Sequence, residues 1–106
     1  MRIASVIGLP ADNAAEYQRL HSQVWPEVIR RLQESHVSNY SIYRFGNLLF
    51  SYMEYDGEDL ERDMAEVASD PVTRRWWALC EPLQEPITGR AADEWWMRLP
   101  EVFHMP

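Results

Sequence analysis

The chain contains no lysine. Its ten basic residues are all arginine, set against 17 acidic residues, and the formal net charge is −7 at pH 7. Nucleic acids and anionic membranes both reward clustered positive charge, so this balance argues against either as a partner. It leaves neutral ligands, such as sugars, open. Cys80 is the single cysteine. No intrachain disulfide and no cysteine-based metal site can form, and one thiol fits a reducing compartment. The three histidines, His21, His36 and His104, stand at spacings that match no common metal motif, so no metal centre is expected. There is no Gly-rich phosphate loop, HExxH, CxxC or nucleophile elbow. No apolar run approaches the roughly 18 residues of a membrane helix. The start, MRIASVIGLP, lacks the longer apolar region and cleavage site of a secretory signal. The expected location is the cytoplasm.

What is present is a chain of 106 residues, 46% of them hydrophobic, enough for a single domain over residues 1–106 with a real core. A domain this small leaves a sheet face to cover, which makes self-association an expectation. The central stretch is NAAEYQRLHSQVWPEVIRRL, residues 13–32. Asn13 is placed to cap a helix, with Glu16 three residues on as in a capping box. Tyr17, Leu20, Val24, Val28 and Leu32 recur at helical spacing and are expected to face the core. Tyr17, His21 and Trp25 recur at i, i+4, so in one regular helix they would share a face. Pro26 interrupts that helix. It reads as the first residue of a second piece, with Glu27 in its first turn, so His21 falls near the seam.

Residues 3–9 read as a strand that is apolar on both faces and therefore away from the sheet edge. Residues 38–44 and 48–55 read as a β-hairpin about Gly46-Asn47. In the first of these strands, Tyr40, Ile42 and Arg44 would share one face. Residues 60–68 are expected to be helical, with Leu60, Met64 and Val67 on one stripe. Asp70-Pro71 starts a further helical piece, with Val72, Arg75, Trp76, Leu79 and Cys80 as its periodic residues. From residue 82 to 99 the pattern dissolves among prolines and Gly89. Residues 101–105 read as a short final strand. The order βαββαβ predicts an α+β, ferredoxin-like sandwich with both helical layers on one sheet face. Apolar residues on the other face predict a dimeric α/β-barrel arrangement, two sheets sharing one interior.

The unusual feature is ring content. There are five tryptophans and five tyrosines, with Trp76-Trp77 and Trp95-Trp96 as adjacent pairs. Neighbouring helical residues point about 100° apart, so each pair divides between core and surface, or between core and a pocket. Rings can stack on the apolar face of a small carbohydrate, while indole, phenol and imidazole supply polar edges.

Five segments carry a specific resemblance: EYQRLHSQVWPE (16–27), NYSIY (39–43), NLLF (47–50), ASDPVTRRWW (68–77) and the terminal EVFHMP. In this order, and over nearly the whole chain, they resemble the L-rhamnose mutarotases, small bacterial aldose mutarotases. The resemblance implies a ferredoxin-like subunit, a homodimer, no cofactor, and interconversion of the α and β anomers of a free aldose. It implies His21 as the proton donor and Tyr17, Tyr40, Trp76 and Trp77 as sugar-binding residues. The chain departs from the family at 81–96, where an Asn-Pro-Asp-Asn-Ser-Pro-like segment is usual. It departs also at Met64, where an aromatic residue is common. These changes bear on which sugar fits more than on the reaction. Ring opening needs a base for the anomeric hydroxyl and an acid for the ring oxygen, and a histidine titrating near neutrality serves. The sequence does not identify the second proton-transfer group; a bound water and Glu101 are the candidates. The alternatives are a mutarotase for another sugar such as L-fucose, a non-catalytic dimeric sugar-binding protein, and a dimeric-barrel monooxygenase.

Overall fold

The first strand has no edge to protect, and its sequence shows why. In the computed structural model, which describes residues 1–106, β1 (Arg2–Gly8) lies between two neighbours and is apolar on both faces. Two helices follow, α1 (Ala14–His21) and α2 (Pro26–Glu34). Then come β2 (Val37–Phe45) and β3 (Leu48–Tyr55), helices α3 (Leu60–Ser69) and α4 (Pro71–Cys80), and β4 (Met97–Leu99). The sheet order is β2-β3-β1-β4, antiparallel throughout. This is the expected ferredoxin-like α+β sandwich, with each helical layer built from two pieces. The helices cover the face that carries Ile7 and Leu49, where Tyr17, Val28, Trp76 and Cys80 complete the core with Leu9 and Ala14.

Pro26 opens α2 as anticipated. Trp25, immediately before it, is extended (φ −60°, ψ 130°), as the proline ring demands. Asp70 caps α4, its carboxylate accepting from the Thr73 amide at 2.9 Å and the Thr73 hydroxyl at 2.8 Å. The Asn13 cap does not form. A 3-10 turn over Ala11–Asn13 already leads into α1, and the Asn13 amide instead donates to the Leu83 carbonyl at 3.0 Å. Glu16 does not reach back either; it pairs with Arg19. On α4 the inward residues are Thr73, Trp76 and Cys80, while Arg75 and Leu79 face outward. Trp76 and Cys80 face inward as expected and pack with Val28 of α2 and with Ile7 and Leu49 of the sheet, while Thr73 takes the inward place expected of Leu79.

The hairpin holds an irregularity that simple alternation does not anticipate. A β-bulge falls between Ser38 and Ser41, with Asn39 at φ 47°. The extra residue changes the local alternation just where Tyr40 stands. The expected strand at 101–105 is absent. β4 ends at Leu99 because Pro100 has no N–H to continue the ladder. The tail beyond it is exposed, with Glu101 held by Arg2 at 2.9 Å.

The irregular segment after α4 is tied to β1. Gly8 donates to the Glu85 carbonyl at 2.7 Å, and Glu85 donates back to Gly8 at 2.8 Å. A Cβ on Gly8 would sit 2.5 Å from the Glu85 carbonyl oxygen, so only glycine allows this approach. Gly8→Ala should lower stability by about 1–3 kcal/mol, the usual cost of forcing atoms into filled space. Chemical denaturation of the variant against the parent measures it. An unchanged midpoint would mean that the segment can leave β1 without cost.

Candidate functional site

α1 stops at His21. Ser22 still bonds back to Gln18 and Arg19, but Pro26 prevents the helix from continuing, and the chain turns away. The histidine is therefore left at a helix end, where its ring borders open space. Its Nδ1 lies 2.8 Å from the carbonyl oxygen of Tyr17, one turn earlier. A carbonyl can only accept, so in the neutral ring Nδ1 carries the proton and donates it. The other nitrogen, Nε2, makes no hydrogen bond within the chain and holds a free lone pair.

Rings set the orientation of that imidazole. Tyr17 stacks on it at 4.2 Å between centroids, with 25° between planes. Trp76 meets it edge-on at 5.3 Å and meets Trp25 in the same way. The Tyr17/His21/Trp25 row is thus bridged at its far end by Trp76, because α1 ended before Trp25. Trp76 is 5% exposed and belongs to the core, while Trp77 is half-buried against it.

Beside these rings is a cavity of about 250 Å³. All five expected residues, His21, Tyr17, Tyr40, Trp76 and Trp77, line it. So do Glu81 and three residues that pattern reading left in an unassigned loop, Gln84, Trp95 and Trp96. The available clue was the Trp95-Trp96 pair, since two indoles seldom stand free in a loop. Glu101 is not in the wall. Its salt bridge to Arg2 holds it in the exposed tail, and Glu81 is the one carboxylate that borders the cavity. A larger apolar space of about 590 Å³ adjoins the cavity and shares His21, Tyr40, Ile42, Trp76 and Trp77 with it. Met64 borders this second space. His36 lies elsewhere, 3.9 Å from Asp56, and His104 is in the tail. The three histidines do not converge, and no group of three or more His, Cys, Asp or Glu side chains forms.

Four groups in the wall, His21, Tyr17, Tyr40 and Cys80, are biased toward their neutral forms. Desolvation lowers the His21 pKa below its ordinary value, and the bond to the Tyr17 carbonyl only partly opposes this. Burial raises Tyr17, and a weaker effect of the Gln84 hydrogen bond does not reverse it. Desolvation also raises Tyr40, even though 42% of that residue faces solvent. Burial pushes the Cys80 thiol up to about 11, so it is a packed group and not a nucleophile at neutral pH. The arrangement suits a neutral, hydroxyl-bearing ligand. It offers the free lone pair of His21 Nε2 among ring faces and phenol hydroxyls, with the Glu81 carboxylate at its border.

No helix is long and apolar enough to cross a membrane. Comparison with known proteins shows the family. The L-rhamnose mutarotase family profile matches residues 2–105. An L-rhamnose mutarotase of Shigella flexneri serotype 5b is 37% identical, covering 100% of this chain and 99% of its own. An L-fucose mutarotase of Xanthomonas campestris pv. campestris is 35% identical, covering 96% and 86%. The crystal structure of an L-rhamnose mutarotase from Formosa agariphila superposes with a TM-score of 0.77 at 24% identity, covering 100% and 99%, and shares the fold. The chain belongs to the L-rhamnose mutarotase family.

Proposed function

We propose that this enzyme, an isomerase of the mutarotase family, interconverts the α and β anomers of L-rhamnose by opening and closing the sugar ring. One observation carries the reading. His21 spends Nδ1 on the Tyr17 carbonyl and borders a ring-lined cavity with Nε2 unpaired. Nε2 takes the proton from the anomeric hydroxyl as the bond from C1 to the ring oxygen breaks. The ring oxygen receives a proton from a second donor, a bound water. The aldehyde turns about the bond from C1 to C2, and closure from its other face reverses each transfer, with His21 as proton donor. Tyr17 and Tyr40 hold sugar hydroxyls, and Trp76 and Trp77 pack on its apolar face. No step requires a cofactor or a metal.

L-fucose is the second reading. It is favoured by the L-fucose mutarotase relative and by the altered 81–96 segment, four of whose residues border the cavity. A non-catalytic sugar-binding role gives no reason for a base with a free lone pair. The enzyme works in the cytoplasm as a homodimer. The sheet face away from the helices supports the dimer, since it leaves Tyr43 and Phe45 exposed, the latter by 78%. Phe103 in the tail is exposed by 80%.

Saturation-transfer NMR of anomer exchange across a sugar panel tests the activity. Exchange of L-rhamnose should be accelerated most, with L-fucose as the competing outcome and no acceleration of any aldose as the result against catalysis. His21→Asn should keep the fold and the sugar affinity, and exchange should fall by about 10²–10⁴-fold, the usual contribution of a general acid–base group. Parent-rate exchange in a normally melting variant would remove His21 from the reaction.

The pH profile follows from the lowered His21 pKa. Neutral imidazole is the working base, so kcat/KM should be full at pH 7 and fall as pH drops through the folded-state pKa. That limb belongs below about 6.5, the unperturbed histidine value, and should vanish in His21→Asn. An acid limb centred above that value would contradict a desolvated ring.

Light scattering at micromolar concentration should return twice the mass of the chain. A monomer at that concentration would leave the apolar sheet face without its proposed cover.

A further inference from the structure

Gln84 stands in the irregular segment after α4 and borders the cavity. We infer that Gln84 is a positioning residue: it turns the Tyr17 hydroxyl proton into the cavity and holds Trp95 at the cavity wall. The inference rests on the sugar-site reading above and concerns which residues select the sugar.

The amide bridges two rings. The Trp95 indole nitrogen donates to Gln84 Oε1 at 2.7 Å, and Gln84 Nε2 lies 3.2 Å from the Tyr17 hydroxyl. Chemistry settles which way the amide faces. An indole N–H can only donate, so the carbonyl end must turn to Trp95. The NH₂ end must then turn to Tyr17 and donate. Burial keeps the Tyr17 phenol protonated. Its oxygen accepts from Gln84, and its own proton has no acceptor in the chain. That proton is free to donate to a ligand hydroxyl beside His21, on which the Tyr17 ring stacks.

The mount is rigid. Gln84 N–H bonds to Glu81, its neighbour Leu83 is held by Asn13, and its neighbour Glu85 is held twice by Gly8. Main-chain ties on three consecutive residues fix the origin of the side chain. A segment without periodicity therefore supplies an ordered hydrogen-bond donor. The chain from Trp95 through Gln84 to Tyr17 ends on the residue whose carbonyl orients His21.

Two variants separate positioning from bulk structure. Gln84→Leu removes both hydrogen bonds. The Trp95 indole N–H resonance, assigned with Trp95→Phe, should move to the position of an unbonded indole. The Kd for L-rhamnose should rise about tenfold, and kcat should stay within about twofold of the parent. Gln84→Glu keeps shape and the bond to Trp95 but offers only acceptors to Tyr17, which must then turn its proton away from the sugar. Its Kd relative to the parent should be raised at about pH 8 and converge on the parent as the introduced carboxylate is protonated toward its ordinary range near 4.3. A merely structural residue would not show this pH-dependent ratio. A parent that neither binds nor exchanges L-rhamnose or L-fucose overturns the sugar reading, and the inference with it. An active parent with both variants matching it in Kd at every pH overturns the role of Gln84 alone.

Discussion

A carbonyl oxygen accepts hydrogen bonds and never donates them, and that asymmetry governs this site. Because His21 Nδ1 faces the Tyr17 carbonyl, the imidazole is held in one tautomer, with its lone pair on the nitrogen left free. The partner is main chain, one helical turn away, so the geometry comes with the helix itself. It needs α1 to end at His21. Pro26 keeps the helix from continuing through Trp25, which is extended. The proline is thus as much part of the site as the histidine it follows.

Electrostatics and packing act in the same direction. The wall is built from rings in the edge-on and stacked geometries that aromatic quadrupoles favour, each pair contributing about 0.5–1.5 kcal/mol beyond the area it buries. Such walls are poor solvents for charge. They favour the neutral imidazole and keep both phenols protonated. A sugar carries no charge to neutralise, so a site of neutral donors, one lone pair and ring faces matches it in kind. Trp76 is central to this. One edge-on contact fixes His21 and another reaches Trp25 across the break between the helices.

The loop after α4 shows how an irregular segment becomes a precise one. Its order derives from a few ties to parts of the fold that are already ordered: a pair of bonds to Gly8 in the central strand and one from Asn13 at the entry to α1. Those ties place Gln84 and, through it, Trp95. The Tyr17–His21 pair is built differently, from local helix geometry.

The sequence by itself determined what depends on neighbours along the chain. Pro26 and Asp70-Pro71 had to start helices, Gly46-Asn47 had to turn, and the strand and helix periods put the elements in ferredoxin-like order. The family motifs likewise marked His21, Tyr17, Tyr40, Trp76 and Trp77, all of which border one cavity. Tertiary structure decided what depends on residues far apart. Asn13 met Leu83 before it could cap its helix, and Glu101 met Arg2 outside the cavity. The inward stripe of α4 was set by what it packs on, so Thr73 displaced Leu79. The bulge at Asn39 broke an alternation that local pattern alone would have continued. Gln84 carried no signal of its own, because its meaning lies in a hydrogen bond to Tyr17, 67 positions away. A period along the chain records which side a residue faces; only the closed fold records what it meets there.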